Sequence, residues 1–70
     1  MATKRQYLMS TRDALKIAHS NLSAAHETAT LLGDSELSQT CFDMAQRCWD
    51  EAEAIEDRLL TKTVKVNRNE

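Results

Sequence analysis

Two histidines, two cysteines, a run of carboxylates and a basic end are the groups in this chain that could do chemistry. His19 and His26 lie seven residues apart, as do Cys41 and Cys48. Together they are the residue types that hold zinc, but one zinc needs its ligands to converge within about 2.3 Å of the metal. Seven residues of helix separate side chains by roughly 10 Å along the axis, and neither pair comes from a single turn. No Glu-x-x-His motif is present, so the di-iron bundle pattern is missing too. Boundary histidines and reduced, buried thiols acting as small apolar side chains are expected, with no metal and no cofactor. The same axial separation forbids a disulfide within the chain; a bridge across a symmetric dimer is not required.

Asp50, Glu51, Glu53, Glu56 and Asp57 form a dense acidic run. A catalytic carboxylate pair needs a cleft and a raised pKa, and a chain of 70 residues with this pattern offers no obvious cleft. A solvated face is expected, with Arg12 and Lys16 across from Glu53, Glu56 and Asp57. No serine, histidine and aspartate are spaced as a nucleophile system, and no glycine-rich phosphate loop occurs, the one glycine being Gly33. The chain is not expected to be an enzyme. Basic residues are more suggestive. Lys4, Arg5, Arg12, Lys16, Arg58, Lys62, Lys65 and Arg68 all map to the end of the molecule where the termini meet, against five acidic residues there, an excess of +3 on a net charge of −2. Such an end could touch phosphates, but Tyr7 is the only aromatic available for stacking there.

The elements that must position these groups are helices. Leu8, Thr11, Leu15, Ala18, Leu22, Ala25, Ala29 and Leu32 recur at steps of three and four, which predicts a long amphipathic helix. Thr3 and Gln6 have the spacing of a capping box, so this helix should run from about residue 4 to 32. Ser10 is a rival start. Gly33 follows where a left-handed cap favours glycine. Asp34 or Ser35 should then cap a second helix from about 35 to 62, with Glu36 in its first turn. Thr61, Thr63 and Val64 weaken that helix, and 63–70 reads as a flexible tail. A break at 33–34 makes the helices antiparallel neighbours.

Leu37, Cys41, Met44, Cys48, Ala52, Ile55 and Leu59 should form the buried face of the second helix, at a spacing of eleven. Each helix also carries more apolar surface than one partner covers, over about 160° of arc. The fold class expected is therefore all-α, a single antiparallel two-helix hairpin dimerising into a four-helix bundle. Phe42 and Trp49 are the expected centre of the dimer or partner interface, with Ile17, Leu31 and Ala45 around them. No apolar run reaches the length of a membrane span and no signal-peptide pattern opens the chain, so a cytoplasmic setting is expected.

Two capped antiparallel helices, a two-residue break and alternating small and large core layers over residues 4 to 62 make the chain resemble Rop, the plasmid RNA-binding dimer. The likeness is architectural, and Rop's RNA-contacting residues do not transfer. The size, single domain and lack of catalytic motifs also look like the small helical accessory proteins of temperate phages. The function expected is a non-enzymatic protein–protein interaction module, a phage or mobile-element regulator or inhibitor. The alternative is a Rop-like RNA- or DNA-binding regulator using Arg5, Arg12, Lys16, Arg58 and Lys62.

Overall fold

The computed structural model describes the backbone of residues 2–68 and the side chains of residues 2–60. Two helices, α1 (Lys4–Leu32) and α2 (Ser35–Arg68), pack along each other as an antiparallel hairpin of about 55 × 29 × 12 Å. Among the described residues there is no strand, and no helix is long and apolar enough to cross a membrane.

The ends of α1 are fixed by the residues that mark them in the sequence. Gln6 N–H donates to Thr3 Oγ1 at 3.1 Å, and Thr3 N–H donates to Gln6 Oε1 at 2.8 Å. Two amides that the helix leaves unpaired are thereby satisfied reciprocally, and Ser10 lies inside the helix. At the other end Gly33 adopts φ 88°, in the left-handed region. Its N–H and that of Asp34 both reach Ala29 O at 3.1 Å, closing the last turn of α1. Asp34 rather than Ser35 caps α2, its Oδ1 accepting from Leu37 N–H at 3.0 Å. The α2 backbone stays helical to Arg68, beyond the end expected near Lys62. Each threonine or valine costs only tenths of a kcal/mol in a helix, too little to stop one without a glycine or proline. The side chains of 61–70, Lys62 among them, lie outside the described residues.

The seam of α2 is Cys41, Ala45, Cys48, Ala52, Ile55 and Leu59. Steps of four and three alternate, a strict heptad rather than the expected spacing of eleven. Leu37 and Met44, expected in the core, are 46% and 51% exposed, and Ala45 takes the place of Met44 at 4%. On α1, Leu8, Leu15, Leu22 and Ala29 face this seam, whereas Thr11 and Leu32 are exposed. The contact line is turned toward Arg12, His19 and His26, which are half-buried. His19 and His26 hydrogen-bond across the hairpin on this side, and Leu37 and Met44 lie on the other. Among the described residues, Ile55 and Leu59 are the only large aliphatic side chains buried beyond nine-tenths. At about 1.5–3 kcal/mol for each such side chain, the hairpin's own apolar core is thin.

Candidate interaction surface

Three side chains of α1, one heptad apart, form rungs to three side chains of α2. His19 Nδ1 lies 3.0 Å from Ala45 O, and its ring centroid is 5.1 Å from that of Trp49. His26 Nδ1 lies 2.9 Å from Ser38 O, and its ring is 5.5 Å from Phe42. In both cases the carbonyl lies four residues before the aromatic. Arg12 makes the third rung, its guanidinium 4.0 Å from Glu56. The numbers of each rung's partners, 12 with 56, 19 with 49 and 26 with 42, share one total. That is the register of an antiparallel pair with a heptad seam.

The hydrogen-bond pattern fixes which ring nitrogen carries the proton. A carbonyl oxygen only accepts, so Nδ1 of both histidines is the donor. Each carbonyl has a second lone pair for the helical N–H four residues on, so no helix bond is given up. At His26 a closed circuit makes the same assignment. Thr30 Oγ1 donates to His26 O at 2.9 Å, which leaves it to accept from Ser38 Oγ at 2.8 Å. Ser38 Oγ then has only a lone pair for His26 Nδ1, 3.0 Å away.

Lys16 ties two rungs together. Its Nζ lies 2.9 Å from Glu56 Oε2 and 5.7 Å from the centroid of Trp49, within reach of a cation–π contact. Arg12 also meets Asp13 at 2.9 Å. Trp49 is thus held between His19 and Lys16 and still leaves 37% of itself in solvent; Phe42, beside His26, leaves 49%. Met9 and Leu60 continue this side of the hairpin toward the open end, where they line a shallow pocket with Arg5, Arg12, Glu56 and Leu59.

The other expected interface residues are placed differently. Ala45 belongs to the hairpin's own seam. Leu31, 87% exposed, lines a shallow pocket with His26, Glu27 and Thr30 beside that rung, whereas Ile17, 62% exposed, lies on the outer side of α1. Of the basic set, Arg5, Arg12 and Lys16 share the side that carries the rungs, being seven and eleven residues apart on one helix. Arg58 lies two residues from Glu56 and therefore faces elsewhere on α2. Among the described residues no three metal-ligating side chains converge, and Cys41 and Cys48 are free thiols in the seam. Both histidines are half-buried, at the boundary where the sequence places them, but their hydrogen bonds across the hairpin are not part of that expectation. The available signal was their spacing, which matches that of Phe42 and Trp49 in an antiparallel register. No protein-family model, no curated protein and no solved structure matches the chain.

Proposed function

We propose that the chain is a non-enzymatic protein–protein interaction module, working as a dimer of hairpins arranged as a four-helix bundle. One observation carries this: Trp49 and Phe42 are neither core nor free. Each is fixed on one side by a histidine that is hydrogen-bonded to a helix carbonyl, and each keeps an open face. Half-exposed aromatics held in place by neighbouring side chains are what interface hot spots are made of, because little side-chain freedom remains to be lost on docking. Met9, Leu60, Arg12 and Lys16 would frame them. The partner that fits is a protein segment presenting apolar side chains flanked by carboxylates. On this reading it is a regulator or inhibitor of the kind phages and mobile elements encode, acting in the cytoplasm.

The test is a photo-crosslinking residue at position 42 in the full chain, expressed in its own host. A single protein adduct that disappears with Trp49→Ala is expected. Adducts unchanged by that substitution, or none at all, would remove the proposal.

Nucleic-acid binding stands second, supported by Arg5, Arg12 and Lys16 sharing one side. Two of the three already have carboxylate partners, Lys16 with Glu56 at 2.9 Å and Arg12 with Asp13 at 2.9 Å, and Arg58 faces elsewhere. A duplex or hairpin RNA retained at low salt and released steeply as salt rises would favour it over the first reading.

A further inference from the structure

The charges of the hairpin are sorted along its length. From Ile17 to Gln46 every charged residue is acidic: Glu27, Asp34, Glu36 and Asp43. This segment is the closed end, made of the second half of α1, the turn and the first third of α2. The nearest bases in the chain are Lys16 and Arg47. At the open end α1 carries Lys4, Arg5, Arg12 and Lys16 against Asp13.

Both signs reach the side that carries the rungs. Arg5, Met9 and Arg12 line its pocket at the open end. Glu27 lies eleven residues from Lys16, hence on the same side, and lines the pocket at the closed end with His26, Thr30 and Leu31. One face of α1 therefore shows an exposed apolar side chain four residues from a charge at each end, Met9 with Arg5 and Leu31 with Glu27. The two ends are about 33 Å apart along the helix, and the rung of His19 and Trp49 stands midway between them. The partner proposed for this side presents apolar side chains flanked by carboxylates. The closed end of the chain itself fits that description, with Leu31 and Phe42 exposed in a segment that has carboxylates and no base.

We infer that the occupant of the rung side is a second copy of this chain laid antiparallel, the open end of each copy taking the closed end of the other. This rests on the proposed dimer and supplies its face and order. Met9 then meets Leu31 of the other copy, Arg12 comes level with that copy's Glu27, and the two Trp49 side chains lie near the twofold axis. The surface is self-complementary, as a twofold interface must be. The parallel order would instead bring two closed ends together, two sets of carboxylates with no base among them, and like charges across an interface oppose docking.

The test is a photo-crosslinking residue in place of Met9 in the purified full chain, with the mass before irradiation read by light scattering. Because the closed end has no lysine or arginine, trypsin releases it whole as Ile17–Arg47. Within its own copy position 9 faces Arg5, Arg12, Glu56, Leu59 and Leu60 instead. The expected product is a dimer-sized adduct whose digest joins position 9 to Ile17–Arg47. A dimer-sized adduct joined to Cys48–Arg58 or to the N-terminal peptides would overturn the antiparallel order. Glu27→Lys, at an exposed site, should weaken the dimer about tenfold, as one attraction becomes a repulsion; a dimer no weaker would overturn the inference. A dimer by light scattering that gives no dimer-sized adduct would move the interface off this side and leave the proposed dimer standing. A monomer would overturn both. On this inference the adduct formed at position 42 is the chain itself, and an adduct there with another protein alone would overturn it while leaving the interaction module standing.

Discussion

Replacing His19 by alanine removes one rung at a known geometry. The lost contacts are the hydrogen bond to Ala45 O at 3.0 Å and the ring contact with Trp49 at 5.1 Å. A neutral hydrogen bond contributes about 0.5–1.5 kcal/mol net, and an aromatic pair about 0.5–1.5 kcal/mol beyond its area. Ala45 O keeps its helical partner and is not orphaned, so no desolvation penalty adds to these. The expected cost is about 1–3 kcal/mol, which for a chain of this size lowers Tm by roughly 4–8 °C per kcal/mol. Thermal unfolding followed by circular dichroism at one fixed protein concentration measures it, the concentration being held because the proposed dimerisation would make Tm concentration-dependent. The cycle with Trp49→Ala isolates the ring contact and should return a coupling of about 0.5–1.5 kcal/mol. A cost under about 0.3 kcal/mol, or a coupling of zero, would show that the rung does not hold the helices in register.

Other substitutions probe the turn, the register and the cap. Gly33→Ala should cost about 1–2 kcal/mol from its φ of 88° alone, since an added Cβ meets nothing within 4 Å; denaturant unfolding reads this directly. Ala45→Leu should destabilise the hairpin by about 1–3 kcal/mol through overpacking, while Met44→Leu should change little, and the reverse order would restore the spacing of eleven to the seam of α2. Thr3→Ala should cost about 1 kcal/mol and should expose the Lys4–Tyr7 amides to faster hydrogen exchange without affecting those of Leu22 or Cys48.

Where a single residue type carries a backbone requirement, the structure was legible in the sequence. Gly33, Thr3 with Gln6, and Asp34 each mark a helix end by their own chemistry, and the elements begin and end there except at the α2 C-terminus. Valine and threonine there disfavour helix too weakly to end it. Periodicity located the buried face of α1 to within about one position and most of that of α2, failing at Leu37 and Met44, where Ala45 is buried instead. Leu37 and Met44 are more apolar than Ala45, so a reading by hydrophobicity puts them inside. The side chains that bond across the seam beside the rotated contact line are His19 and His26, whose hydrogen bonds cross to carbonyls that no side-chain pattern displays. The same blindness hid the surface. Phe42 and Trp49 stood out as aromatics on one side of α2, but their supports come from the other helix.

The proposed function requires this thin-cored hairpin to be half of a symmetric bundle. Light scattering of the full chain across a tenfold or wider range of concentration tests it most directly. A mass of twice 7.9 kDa that persists to the lowest concentration is the expected result. A mass of 7.9 kDa throughout, with helical content intact, would contradict it.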